Sequence, residues 1–165
     1  MTARLTGLGP IADEGTRLLV LGSFPGAASL RAQQYYGHPQ NGFWKILGAL
    51  WDLPLAQQDY EARVAALLSH GLGVWDVYAS CEREGSLDTA ILAAELNDFA
   101  GLRARCPALQ AIAHNGGESF RHARLTRAFG LPVHRLPSTS PANASWSFER
   151  KLAAWREVLA LYGLA

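Results

Sequence analysis

The sequence predicts an α/β fold, a three-layer α/β/α sandwich with a central four-stranded parallel sheet. Three observations carry this. Short apolar runs alternate with helix-like segments, the links between them are brief, and each run ends in a loop rich in glycine, proline, asparagine or hydroxyl residues. Strands and helices that alternate over short links are the pattern of parallel strands joined by crossover helices.

The four runs are RLLVLG at 17–22, GVWDVY at 73–78, LQAIAH at 109–114 and PVHRLP at 132–137. Near-continuous apolar character over so short a span suits a strand covered on both faces. Helices are expected over GFWKILGALW from Gly42, YEARVAALLSHG from Tyr60, NDFAGLRARCP from Asn97, ESFRHARLTRAFG from Glu118 and SFERKLAAWREVLALYG from Ser147. No repeat or linker interrupts the series. Residues 1–165 are therefore expected to form a single domain, a length that supports one core.

Composition narrows the function classes. With 49% hydrophobic and 18% charged residues, the chain reads as an ordinary globular protein. Fifteen basic against 14 acidic residues leave a net charge of +1, so any grip on nucleic acid must come from a local patch. Cys81 and Cys106 are too few for a disulfide framework, a four-thiolate zinc site or an iron–sulfur cluster. A reducing, cytoplasmic setting is expected, with no metal or other cofactor. The N-terminus carries Asp13 and Glu14 and lacks an apolar core flanked by basic residues, and no apolar run reaches the ~18 residues of a membrane span, so neither secretion nor membrane insertion is expected. The short chain and modest charge point to a monomer.

Open parallel sheets bind ligands where strands end, and the unusual residues of this chain cluster there. After the first run comes GSFPG, where Gly22 and Gly26 permit backbone geometries closed to other residues and Pro25 stiffens the turn. Its successive N–H groups suit an anion or a developing negative charge, and the same residues also suit a plain strand-exit turn. It is not a P-loop, because the lysine and hydroxyl of that motif are missing.

The following QYYGHPQNGFWKIL offers Tyr35 and Tyr36 as flat stacking faces and Asn41 as a neutral amide able to position a water. By position alone Asn41 is the N-cap of the helix carrying Phe43 and Trp44. His38, before Pro39, reads as a loop residue or as a general base.

Asn115, in HNGG, suits either the edge of a nucleobase or a turn. Ser138, Thr139 and Ser140 stand between two prolines, as small donors for phosphate or the minor groove, or as caps ahead of the last helix.

WDVYASCEREGSLD supplies four candidate acids or bases, Asp76, Glu82, Glu84 and Asp88. Within it, Asp88 before TAIL is a natural helix cap, and Glu82 with Arg83 reads as a solvated or ion-paired surface. Arg121, Arg124 and Arg127 form a basic stripe on a helix, and the tryptophans at 44, 51, 75, 146 and 155 read mostly as core.

Taken together, LVLGSFPGAASLRAQQYYGHPQNGFWKIL, VWDVYASCEREGSLD, NDF, NGG and LPSTSPANASW resemble the uracil-DNA glycosylase superfamily. More closely they resemble its hypoxanthine-DNA (deoxyinosine) glycosylase family, from about Leu18 through the last helix. The resemblance implies a four-stranded parallel sheet between helices and an enzyme that flips a deaminated base out of DNA and hydrolyses its N-glycosidic bond. The partner would be DNA containing deaminated bases.

Residue roles are also carried by the resemblance. The superfamily's first motif falls on Gly22, Ser23, Phe24, Pro25 and Gly26, and several relatives have a water-activating Asp or Asn where this chain has Ser23. Water positioning then passes to Asn41, leaving Asn41 and Ser23 as the catalytic candidates. The first-motif residues other than Ser23 join Tyr36, His38 and Asn115 as base-binding candidates, with Phe24 or Tyr36 stacking on the base. Ser138, Thr139, Ser140 and Asn143 belong to the implied DNA-wedging loop.

Two departures bear on base preference. Leu136 stands where uracil-specific relatives have a histidine, and His114 where an aromatic is expected. The alternatives are a mismatch-specific uracil or thymine glycosylase and, if Asn41 only caps its helix, a non-catalytic nucleic-acid-binding α/β module.

Overall fold

The computed structural model describes residues 3–165. In chain order they form β1 (Arg4–Thr6), β2 (Leu18–Gly22), α1 (Ala27–Ala32), α2 (Phe43–Trp51), α3 (Tyr60–Ser69), β3 (Leu72–Asp76), β4 (Tyr78–Glu82), β5 (Leu92–Leu96), α4 (Phe99–Arg105), β6 (Ala111–Asn115), α5 (Gly117–Phe120), α6 (Ala123–Arg127), β7 (Val133–Leu136) and α7 (Phe148–Leu161). Two further turns of 3-10 helix span Leu55–Gln57 and Asp88–Ala90.

The predicted sheet is present as four parallel strands in the order β3-β2-β6-β7. β2, β3 and β6 are buried at every position, as their largely apolar sequences lead one to expect, and the polar residues Asp76, His114 and Asn115 at the strand ends are buried with them. Successive side chains of a strand point to opposite faces. On one face Leu19, Leu21 and Ile112 meet Phe99 of α4 and Phe129 beyond α6. The other face carries α2 and α7, where Phe43 meets Trp155 edge-on at 5.8 Å. Each such large apolar side chain contributes about 1.5–3 kcal/mol when fully buried. The sheet is thus the rigid layer from which the loops project.

Local chemistry fixes the helix starts. Asp59 accepts from Ala62 N–H at 2.8 Å, Asp98 from Gly101 N–H at 3.0 Å and Ser147 from Arg150 N–H at 3.2 Å, each satisfying an amide that the helix leaves unpaired.

Three expectations need correction. GVWDVY is not one strand: the chain turns at Val77, whose N–H donates to Gly22 O, and continues as β4 in a second, antiparallel sheet ordered β1-β4-β5. TAIL does not open a helix, and Asp88 does not cap one; a 3-10 turn leads from Asp88 into the solvent-exposed strand β5. The helix expected over 118–130 is split into α5 and α6 at Arg121–His122, where His122 N–H donates to Ser119 O, a tighter i,i+3 bond.

Candidate active site

A cavity of about 790 Å³ opens at the carboxyl ends of the parallel strands. It is bordered by every residue to which the resemblance gave a role, Gly22, Ser23, Phe24, Pro25, Gly26, Tyr36, His38, Asn41, Asn115, Ser138, Thr139, Ser140 and Asn143, and by Asp76 and Asp88, whereas Glu82, Glu84 and the arginines at 121, 124 and 127 lie outside it. Its size suits a nucleoside-sized ligand.

The Gly22–Gly26 turn is braced by the segment that follows β4. Ser23 Oγ donates to Asp88 Oδ1 at 2.6 Å, Arg83 Nη2 donates to Pro25 O at 2.8 Å, and Ala27 N–H donates to Ser86 Oγ at 2.8 Å. The Arg83 guanidinium also lies 5.3 Å from the centre of the Phe24 ring, fixing that ring in the cavity wall. Arg83 is therefore a buried structural cation and not the surface residue the sequence suggested.

Gly22 makes room for two polar groups. A Cβ there would stand 2.5 Å from Asp76 Oδ1 and 3.2 Å from the Tyr36 hydroxyl, so this position admits only hydrogen without displacing them. Tyr36 itself has a left-handed backbone (φ 54°), uncommon for an aromatic residue. Its ring stacks on Phe43 at 4.0 Å, and its hydroxyl accepts from Asn115 Nδ2 at 3.1 Å.

Asn41 precedes α2 at the cavity wall, and its Oδ1 accepts from Phe43 N–H at 3.0 Å. The N-cap position read from sequence falls instead on Gly42, whose carbonyl accepts the first helical bond; Asn41 stands one residue earlier, and its i,i+2 bond to Phe43 N–H orients the amide. One oxygen lone pair and the Nδ2 donors are not used by that bond. The turn before the helix thus presents a fixed amide at the cavity wall.

Asn115 ends β6 with its amide committed to the protein. Nδ2 donates to Tyr36 and to Thr139 Oγ1, and Oδ1 accepts from Thr139 N–H. It ties the 138–143 loop to the sheet. Within that loop Ser138 Oγ accepts from Ser140 N–H at 3.1 Å, and Ser140 Oγ accepts from Ala142 N–H at 3.2 Å. Asn143 Nδ2 closes the turn on Ser138 O at 3.1 Å, and the Lys151 ammonium donates to Ser140 O at 3.3 Å. His38 is exposed at the rim, its Nδ1 accepting from Gln40 N–H at 3.1 Å.

Both departures from the family pattern acquire positions. Leu136 is buried in the wall and offers no donor. His114 points away from the cavity, toward α5 and α6, where Ser119 Oγ and Thr126 Oγ1 flank its ring nitrogens at 2.8 and 2.9 Å. Burial pushes its pKa down to about 4, so the ring is neutral packing material.

Sequence reasoning undervalued three cavity residues. Asp76, one acid among four in its segment, ends β3 with 4% exposure, and its Oδ2 has no hydrogen-bond partner. Burial above all, then the neighbouring Asp88, pushes its pKa up to about 7, against a smaller opposing pull from Arg83. Trp146, assigned to the core, instead borders the cavity with the Arg150 guanidinium 4.2 Å from its ring centre. Leu87, 59% exposed at the rim, carries no signal in sequence that separates it from a core leucine.

The comparisons with known proteins agree with this architecture. Residues 9–159 match the family model described as the uracil DNA glycosylase superfamily. The chain is 39% identical over 151 residues to a hypoxanthine DNA glycosylase of Methanosarcina barkeri, covering 92% of this chain and 95% of that one. It is also 39% identical over 152 residues to the hypoxanthine DNA glycosylase of Methanosarcina acetivorans, covering 92% and 96%. A solution NMR structure of a candidate uracil DNA glycosylase from Methanosarcina acetivorans superposes with a TM-score of 0.87 at 37% identity, covering 97% of this chain and 99% of that one. A parallel sheet ending in one cavity, a family match over nearly the whole length and these relatives make the chain a member of the uracil DNA glycosylase superfamily.

Proposed function

We propose that the protein is a monofunctional DNA glycosylase that flips a deaminated base, hypoxanthine foremost, from DNA and hydrolyses its N-glycosidic bond, leaving an abasic site. The observation that carries this reading is the Asn41 amide, held by Phe43 N–H at the wall of a nucleoside-sized cavity. Two relatives named hypoxanthine DNA glycosylase, alike over more than nine-tenths of the chain, support hypoxanthine as the preferred base.

The chemistry asks little of the nucleophile. As the bond from C1′ to the base stretches, the sugar becomes cation-like, and a water oriented by a neutral amide then suffices. Asn41 supplies that orientation, with Oδ1 accepting a water proton while its other bond to Phe43 keeps the plane fixed. Ser23, at the position of the acid or amide in relatives, has its hydroxyl proton on Asp88 and serves to hold the first turn. Phe24, immobilised under Arg83, and Tyr36, stacked on Phe43, offer ring faces to the extruded base.

Extrusion costs a few kcal/mol, less where a deaminated base pairs poorly, so weak pairing assists selection. The 138–143 loop, with its serine hydroxyls and the exposed Pro141 and Ala142, is the part that meets the duplex. The reading includes a single domain that acts as a monomer, and a cytoplasmic setting, with which two free, buried thiols are consistent.

The direct experiment incubates the protein with duplexes containing one deoxyinosine, deoxyuridine or deoxyxanthosine, followed by scission at abasic sites and mass analysis of the released base. Hypoxanthine release faster than uracil release is expected. Binding with no abasic product would leave a non-catalytic module.

A further inference from the structure

We propose that Asp76 is the leaving-group acid of this site: its carboxyl O–H donates a proton to a purine ring nitrogen, N7 or N3, as the glycosidic bond breaks. This rests on the glycosylase reading and adds a catalytic residue to it.

The geometry has four parts. Asp76 ends the buried strand β3 and borders the cavity, and the notch at Gly22 lets its carboxyl approach the first turn. Its Oδ2 is buried and without a partner, which is costly for a charged carboxylate and far less so for a neutral acid. Asp88, the other carboxyl in the cavity wall, is engaged by the Ser23 hydroxyl at 2.6 Å. Leu136 has no proton, both N–H bonds of Asn115 are spent on Tyr36 and Thr139, and burial holds the Tyr36 hydroxyl above its usual range, making it a poor acid. The ionisable neighbours of Asp76 are Asp88, Arg83, Tyr35 and Tyr36; burial and Asp88 favour the protonated carboxyl, and Arg83 opposes them.

The step balances. The C1′–N9 electron pair goes to the base, the Asp76 proton goes to the base nitrogen, and neutral hypoxanthine departs from a cationic sugar that faces a new carboxylate. Water held by Asn41 adds to C1′, and the proton it loses returns to Asp76. A leaving base already neutralised by protonation needs no histidine from the 136 position.

The test measures single-turnover hypoxanthine release from deoxyinosine duplexes between pH 5 and 9 for the wild type, Asp76→Asn and Asp76→Glu, with DNA affinity and thermal unfolding recorded for each. In the wild type, release is expected to be level at acid pH and to fall about tenfold per pH unit once Asp76 ionises. Asp76→Asn is expected to lose about 100-fold or more, the usual scale of general acid catalysis, and to lose that pH dependence, with affinity little changed. Asp76→Glu should recover part of the rate.

Duplexes in which carbon replaces N7 or N3 give a second readout that does not depend on the variant's folding alone. On the analogue lacking the accepting nitrogen, wild type and Asp76→Asn should react equally slowly. The proposal is overturned if wild-type release rises with pH through neutrality, if Asp76→Asn releases hypoxanthine within about threefold of wild type, or if it slows both analogues as much as deoxyinosine. A wild type that releases no base from any duplex would instead remove the glycosylase reading, and this step with it.

Discussion

Asn115 and Thr139 grip each other at two points: Asn115 Nδ2 donates to Thr139 Oγ1 at 3.0 Å, and Thr139 N–H donates to Asn115 Oδ1 at 3.1 Å. The pair fastens the 138–143 loop to the end of a buried strand. Asn115→Ala leaves a buried amide and hydroxyl without partners, at about 1–3 kcal/mol. We expect a lower melting temperature and a drop in release of about tenfold or more, read by calorimetry and single-turnover assay. A variant with unchanged stability and rate would show that the clamp positions nothing.

Gly22→Ala tests the notch. Its methyl would meet Asp76 Oδ1 at 2.5 Å and the Tyr36 hydroxyl at 3.2 Å, and both sit in the cavity wall. Overpacking of this kind costs about 1–3 kcal/mol. Because the displaced groups line the cavity, the expected loss in hypoxanthine release exceeds the loss in stability. Chemical denaturation beside the release assay checks the difference.

Stability should also report on Asp76. Its folded pKa, about 7, is raised above the ordinary carboxylate value, so between the two the folded chain binds a proton that the unfolded chain lacks. Stability therefore falls as pH rises from about 4 to 7, and the penalty, on the order of 4 kcal/mol at most, is complete above 7. Asp76→Asn removes the titration. Its melting temperature relative to wild type should climb across that window and then level off; a constant difference from pH 4 to 8 would contradict the buried, unpaired carboxyl.

Ser138→Ala with Ser140→Ala removes the hydroxyls that accept from Ser140 N–H and Ala142 N–H and shape the loop tip. Weaker binding to all duplexes, with bound substrate cleaved at a nearly normal rate, is expected in fluorescence anisotropy and single-turnover measurements. Equal affinity at several salt concentrations would contradict this.

How much was legible in sequence follows from where burial is uniform. RLLVLG and LQAIAH announce β2 and β6 because both faces are covered, so nearly every residue is apolar. β4 and β5 carry no such mark. YASCE is half-polar, and LAAEL is exposed throughout and has the composition of a helix; only pairing across the second sheet makes it a strand.

In the site, the strand-end loops converge because parallel strands all end on one side. Asn41 was visible as an amide before a helix, but the cap itself falls on Gly42, and the i,i+2 bond to Phe43 N–H that fixes the Asn41 amide depends on where the helix starts. Asp76 was one of four acids in a single segment, and only the packing of Gly22 and Tyr36 around it separates it from Glu82, Glu84 and Asp88. Arg83 looked like surface because its partners, Pro25 O and the Phe24 ring, lie far away in sequence.

The central claim is that Asn41 places the water that cleaves a deaminated base from DNA, and single-turnover hypoxanthine release by Asn41→Ala tests it most directly. Release should fall by about 100-fold or more, the scale of losing a positioned catalytic group, while affinity for the deoxyinosine duplex stays within about threefold, well under 1 kcal/mol. An Asn41→Ala protein that still releases hypoxanthine at the wild-type rate would contradict the account.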